Sequence, residues 1–187
     1  MAVILVTGAN GQLGSELRQA SRSFYGYDFT FTDIADLDIT DAAKTREFIG
    51  TLNPYWIINC AAYNSVDKAE SESDAALLIN SVSVQNIAEA VRDSDCRFIH
   101  ISTDYVFSGE ACVPYDENSA TAPQTAYGRS KLAGEKAAVM HNRTMIIRTS
   151  WLYSAFGHNF VKTMLRLFTE KKQIEVVNDQ IGTPTFA

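Results

Sequence analysis

Residues 3–14 read VILVTGANGQLG: an apolar run, a turn carrying Gly8, Gly11 and Gly14, and the first residues of a helical pattern. A buried strand that feeds a glycine-rich turn into a helix start brings unpaired backbone N–H groups and the positive helix end together, and a pyrophosphate sits well there. Each glycine has its own role at this spacing. Gly8 permits the tight turn, Gly11 lets the backbone approach the phosphates, and Gly14 lets the helix pack closely on the strand. The order is G-x-x-G-x-x-G rather than the G-x-G-x-x-G of the standard dinucleotide fingerprint, and glycines so spaced also occur as plain turn punctuation.

After this turn, Leu13, Leu17 and Ala20 share one face of a helix over 12–22, and residues 29–32 form a β-prone run that ends at Asp33. An acid about twenty residues beyond the glycines is placed to accept the adenosine ribose 2′-hydroxyl and to repel a 2′-phosphate; the other reading of Asp33 is a turn cap. A helix capped by Thr40 or Asp41 runs to Leu52 and stops at Asn53-Pro54, and the apolar residues 56–58 make a central strand ending at Asn59. Cys60, Ala61 and Ala62 then offer small side chains at the carboxyl end of a strand, where open α/β sheets bind ligands. Residues 66–93 read as long helical structure bent near Asn80-Ser81, 97–101 as a fourth strand running into Ser102-Thr103, and 106–126 as a loop over the site. His100 stands in that strand with no partner suggested, packed or at the surface. Beyond a strand at 145–148, a helix over 161–168 and a strand over 174–177 complete the pattern. The predicted fold is α/β: a doubly wound parallel sheet of Rossmann type.

The 187 residues suit one domain, and 46% hydrophobic with 20% charged residues is ordinary for a globular protein. A net charge of -6 supplies no basic field for nucleic acid or an anionic membrane, so phosphate recognition falls to backbone amides and a few side chains. Cys60, Cys96 and Cys112 are odd in number and widely spaced, which argues against a disulfide framework or a zinc site and for a cytoplasmic protein. No leader pattern or membrane span is read from the sequence.

Tyr127 and Lys131 are spaced i, i+4, which puts phenol and ammonium on one helix face, one turn apart. A tyrosine is a poor acid–base group near neutrality, and a cation within about 4–6 Å lowers its pKa; Lys131 is the expected cation. Alone, Y-x-x-x-K is common on surface helices. Here it follows a polar loop, a strand ending in Thr103 and a glycine cradle.

With Thr7 before its glycines, the turn resembles the TGxxGxxG turn of extended short-chain dehydrogenases/reductases, and Thr103, Tyr127 and Lys131 resemble that superfamily's Ser/Thr–Tyr–Lys triad. The resemblance implies that Thr103 hydrogen-bonds a substrate carbonyl, that Tyr127 moves its proton, and that Lys131 tunes the tyrosine and binds the nicotinamide ribose. It puts Asn10, Gln12 and Leu13 of the turn, Asp38 and Ile39, and Tyr63 beside Cys60–Ala62, against NADPH or NADH; for Asp38-Ile39 the other reading is an exposed loop. Asn80 resembles the superfamily's active-site-supporting asparagine, or is a buried kink residue.

Ser-Thr-Asp-Tyr-Val-Phe at 102–107, Tyr-Gly-Arg-Ser-Lys-Leu-Ala-Gly-Glu at 127–135, Arg-Thr-Ser-Trp-Leu-Tyr at 148–153, Asn-Phe-Val at 159–161 and Asp-Gln-x-Gly-x-Pro-Thr at 179–185 together resemble dTDP-4-dehydrorhamnose reductases. Sugar-nucleotide dehydratases of the same fold carry Thr-Asp-Glu where Thr103-Asp104-Tyr105 stands here. The resemblance implies a dTDP-sugar substrate held by Thr103, Asp104, Tyr105 and Trp151 (or a Trp151 packed in the core), a homodimer, and a magnesium ion for which Glu16 matches one ligand. The family continues past Gly-x-Pro-Thr, so residues 1–187 are expected to be a nucleotide-binding domain with only the start of the substrate side, from about residue 150. Alternatives on the same cradle are a non-catalytic subunit resembling the methionine adenosyltransferase β subunit, and a sugar-nucleotide epimerase or dehydratase.

Overall fold

A computed structural model describes residues 1–187. Five parallel strands, β1 (Ala2–Thr7), β2 (Tyr27–Thr32), β3 (Trp56–Asn59), β4 (Arg97–Thr103) and β5 (Thr144–Thr149), make one sheet in the order β2-β1-β3-β4-β5. The chain leaves β1 to one side for β2, then returns past it to lay down β3, β4 and β5 on the other. A crevice therefore opens at the carboxyl ends of β1 and β3, where the order reverses. Right-handed crossovers put α1 (Gln12–Ala20) on one face, and α2 (Ala42–Leu52), α5 (Ser83–Ala90) and α6 (Ala126–Ala138) side by side on the other.

Strand alternation builds the core beneath that second layer. Leu5, Ile57 and Phe98 point down from three adjacent strands onto Ile49, Val84, Ile87, Ala88, Val91, Ala137 and Ala138. Of the two candidate caps for α2 it is Asp41 that serves, its carboxylate accepting from the N–H groups of Ala43 and Lys44, while Asn53 ends the helix in the left-handed region at φ 47°. The long helical stretch is segmented. After α3 (Val66–Ala69), α4 (Ser73–Leu77) passes into α5 through a π-turn at Leu78–Val82, so the bend falls at Asn80.

Residues 174–177 form no strand, contrary to the sequence reading. A strand needs a ladder partner, and the outer edge of β5 takes none. Instead β6 (Leu152–Tyr153) pairs with β7 (Thr185–Phe186) in a small separate sheet, and α7 (Phe160–Glu170) buries none of its residues. No helix is long and apolar enough to cross a membrane.

The turn after β1 holds Gly8 at φ +66°, and a Cβ there would lie 2.5 Å from the backbone nitrogen of Ala61. Gly8→Ala therefore meets both a disfavoured φ and immovable backbone, and is expected to cost more than about 3 kcal/mol or to prevent folding. Gly50, exposed in α2 with nothing within 4 Å of its Cβ position, is the contrast: Gly50→Ala should gain up to about 1 kcal/mol. Urea unfolding midpoints of the two variants check both signs.

Candidate active site

Three turns converge at the crevice. The turn after β1 presses on the turn after β3, with Gly8 against Cys60 and Ala61. Asn59 ties them: its carbonyl oxygen accepts from the Thr7 hydroxyl at 2.7 Å and from the Ala61 N–H at 3.1 Å. Its amide nitrogen meets Nδ1 of His100 at 3.2 Å, so that fully buried histidine, for which the sequence suggested no partner, completes a polar seam under the site. Burial holds the His100 imidazole well below its usual pKa, and the Lys131 charge acts in the same direction.

Gly8, Gly11, Asp33, Asp38, Ile39, Cys60, Ala61 and Ala62 share the lining of one cleft of about 310 Å³. Gly11 at the N-cap of α1 supplies no side-chain acceptor, which leaves the first N–H groups of the helix for a ligand. Asp33 does cap the turn: its two oxygens accept from the backbone of Asn10 and of Ile34, each at 2.9 Å. A carboxylate has about four acceptor positions, so two remain for a ribose hydroxyl. Asp38 bonds the Thr40 hydroxyl and N–H, which lowers its pKa.

Gln12 reaches away from this cleft towards the C-terminal part. Its side-chain oxygen accepts from Asn159, the cap of α7, at 2.9 Å, and its nitrogen approaches the Leu152 carbonyl at 3.5 Å. The 60–63 turn is held from behind by Asn80, which bonds both the N–H and the carbonyl of Tyr63 and donates to Ser130 on α6. Asn80 is thus both the kink residue and a support for the site. Tyr63 bonds Glu72 through its hydroxyl at 2.6 Å.

On the other side of the crevice β4 delivers Thr103, and α6, capped by Thr125 and by the Glu70 carboxylate on Ala126 N–H, delivers Tyr127 and Lys131. The Thr103 hydroxyl donates to Asp104 at 3.1 Å and accepts from Tyr105 N–H at 3.2 Å. Tyr127 stands edge-on to Tyr105, ring centroids 5.6 Å apart, in a cluster with Ala69 and Ala76. Burial pushes its phenol up to about 12, partly offset by the Thr103 hydroxyl. Lys131, 2% exposed, donates from Nζ to the Ile101 carbonyl at 2.7 Å. Burial pulls it down to about 8, against the opposing pull of Glu135 and Cys60. The expected lowering of Tyr127 by Lys131 is thus absent here: the ammonium is turned onto β4, and desolvation of the phenol dominates. Burial raises the Asp104 carboxyl as well, and lifts Cys60 to about 12.

Trp151 is 46% exposed, which removes the core-packing reading. It adopts φ 47°, with its indole lying so close over Gly182 that a Cβ there would be 2.8 Å from the ring. Glu16 is half-buried on α1, and no three His, Cys, Asp or Glu side chains of this chain gather as a metal-binding group. Sequence reasoning passed over two contributors. Asn59 carried a signal, a polar residue closing an apolar strand. So did Glu135, an acid one turn beyond Lys131 on a face of small residues.

The RmlD substrate binding domain model matches residues 1–187. The dTDP-4-dehydrorhamnose reductase of Escherichia coli K12 is 44% identical over 98% of this chain and 62% of its own length. Two solved dTDP-4-dehydrorhamnose reductases superpose at a TM-score of 0.95 each. One, from Clostridium acetobutylicum, is 43% identical over 98% of this chain and 65% of its own. The other, from Bacillus anthracis in complex with NADP, is 45% identical over 100% of this chain and 66% of its own. The chain thus spans a little under two thirds of the length of these relatives.

A buried lysine brought down to about 8 binds protons less well folded than unfolded, so the fold gains stability as pH rises from about 8 towards the unfolded value of 10.5 and carries the cost below 8. Replacing Lys131 by methionine is expected to stabilise the chain at neutral pH by about 2 kcal/mol, and to flatten the rise between pH 8 and 10. Thermal unfolding of both proteins across that range is the check.

Proposed function

Because the chain belongs to the RmlD substrate binding domain family, we propose that it is the nucleotide-binding and catalytic part of a reductase that converts dTDP-4-dehydro-L-rhamnose to dTDP-L-rhamnose with NADPH or NADH. The observation that carries this reading is that the Gly8 cradle packs on the Cys60–Ala61 turn, and Cys60 in turn is coupled to buried Lys131 on the helix that also carries Tyr127, whose phenol bonds Thr103. The match to named reductases along the whole chain supports it.

In this reading the glycine turn and the first N–H groups of α1 hold the pyrophosphate, Asp33 the adenosine ribose, and Asp38 and Ile39 the adenine. Cys60, Ala61, Ala62 and Tyr63 line the middle of the cofactor. When bound, the reduced nicotinamide supplies a hydride to the carbonyl carbon. Thr103 donates a hydrogen bond to the carbonyl oxygen, and Tyr127 passes its phenolic proton to that oxygen as negative charge develops there. A phenol held near 12 is fully protonated at neutral pH, as the donor of a reduction must be. Lys131, whose Nζ donates to the Ile101 carbonyl here, would hold the nicotinamide ribose and bring its charge to bear on the phenolate that forms. Asp104, Tyr105 and Trp151 face the sugar, and the part from about residue 150 begins the substrate side.

NADPH and NADH affinities, followed by oxidation of either nucleotide with dTDP-4-dehydrorhamnose, test the reading in this chain and in a version extended to its relatives' length. Turnover is expected in the extended version. In it, Tyr127→Phe should cut kcat at least about a hundredfold and leave cofactor affinity within about twofold. Unchanged turnover would remove Tyr127 from the mechanism. Asp33→Asn, which keeps an acceptor for the turn, should raise the NADPH-to-NADH affinity ratio about tenfold by removing the charge that opposes a 2′-phosphate.

A further inference from the structure

The least solvent-exposed carboxylate in the molecule has no part in the chemistry described above. Glu135 is 4% exposed and lies one helical turn beyond Lys131 on α6, so Tyr127, Lys131 and Glu135 follow one another at i, i+4 and i+8. Both of its oxygens are engaged, by three bonds. Arg148 on β5 forks onto it, Nε to Oε1 at 2.9 Å and Nη2 to Oε2 at 2.7 Å, and the Ser102 hydroxyl donates to Oε1 at 2.5 Å. Arg148 is itself set by the Phe107 ring, 5.0 Å below its guanidinium carbon, and Phe107 stacks on Tyr115 at 4.3 Å. A buried ion pair with this geometry contributes little net stability against an apolar pair of equal volume, which raises the question of what it serves.

Its neighbour supplies the answer. Around Lys131 stand Glu135 one turn onward and Tyr127 one turn back on α6, Cys60 from the turn after β3 and His100 from β4; of these Glu135, Cys60 and His100 are coupled to its charge. The tyrosine and the thiol are held up to about 12 and the imidazole is held low, so all three are neutral near pH 7. Glu135 alone brings an opposite charge. Without it, an ammonium that burial has already brought down to about 8 would lose its proton at still lower pH. Ser102 links the same carboxylate to the strand position just before Thr103.

We propose that Glu135 is the positioning residue of the Tyr127–Lys131 pair: clamped by Arg148 and Ser102, it supplies the buried negative charge that keeps the Lys131 ammonium protonated at working pH. Arg148 forks onto the Glu135 carboxylate and is itself a quarter exposed, so solvent screens its repulsion of Lys131. The inference rests on the reading of Lys131 as a charged active-site group. Its test does not need turnover.

The measurement is the titration midpoint of Lys131, read by NMR from the 13Cε and 15Nζ signals of lysine-labelled protein and assigned by loss of the peak in Lys131→Arg. Glu135→Gln is expected to lower the midpoint by about one pH unit or more. Glu135→Asp, which keeps the charge, should stay nearer the unaltered protein than the glutamine variant does. A single glutamine leaves Arg148 without its partner and risks misfolding, so the double variant Glu135→Gln/Arg148→Gln, which removes both halves of the ion pair, is measured beside it and is also expected to fall. A midpoint unchanged in the folded glutamine variants would overturn the proposal and leave Glu135 as a brace between α6 and β5. NADPH binding is measured on the same samples; its absence in the unaltered chain would sink the functional reading, while the midpoints still decide the coupling.

Discussion

Everything at the crevice depends on how closely the turn after β1 approaches the turn after β3. With Gly8 in the left-handed region, there is room for Ala61 where a Cβ would otherwise stand. The approach is then locked by a single side chain: Asn59 accepts from Thr7 on one strand end and from Ala61 in the opposing turn. Both acceptor positions are filled in a site closed to water, where an unmade hydrogen bond costs about 1–3 kcal/mol, so the two turns are held in register. Gly14 extends the same constraint to α1, since a Cβ there would strike the Gly8 carbonyl at 2.5 Å. The cleft between these turns is a consequence of backbone packing, which is why small residues line it.

The side that carries Tyr127 and Lys131 is built at a cost in stability. Lys131, Glu135, His100 and Asn80 are polar groups withdrawn almost wholly from solvent, and each has at least one hydrogen-bond partner. Unpaired, an ammonium at such a position would be expected to shed its proton. Gly134 makes this crowding possible: its missing Cβ lets α6 sit against the Asn80 carbonyl of the π-turn, so the helix carrying Tyr127 and the kink supporting the 60–63 turn form one unit. The two halves of the site are then joined through Asn80 and Ser130 as well as through the sheet.

Beyond Thr149 the physical character changes. The five-stranded sheet ends there; β5 exposes Met145 and Ile147, and α7 exposes Phe160, Val161, Leu165 and Phe168. This part is fastened to the rest by polar contacts, chiefly Gln12 with Asn159, and is braced within itself by the short β6–β7 ladder.

The order of the elements as far as β5 and the parallel sheet were legible in the sequence, because glycine spacing, apolar runs and i, i+4 periodicity are local properties that neighbouring residues set for themselves. The spacing of Tyr127 and Lys131 was legible for the same reason, while the candidacy of Thr103 beside them came from the resemblance to the Ser/Thr–Tyr–Lys triad. What only the tertiary structure decided is how those groups behave. The phenol rises because Ala69, Ala76 and Tyr105 bury it, and the lysine turns onto Ile101 because β4 offers that carbonyl, neither of which any spacing within α6 encodes. Asp33 proved to cap its turn while keeping acceptors free, a matter of where Asn10 and Ile34 lie. Residues 174–177 have a strand's composition and no strand's conformation, since a strand exists only where a neighbour offers its edge. Glu135 was one more letter after Y-x-x-x-K until Arg148 and Ser102, from two other strands, closed around it.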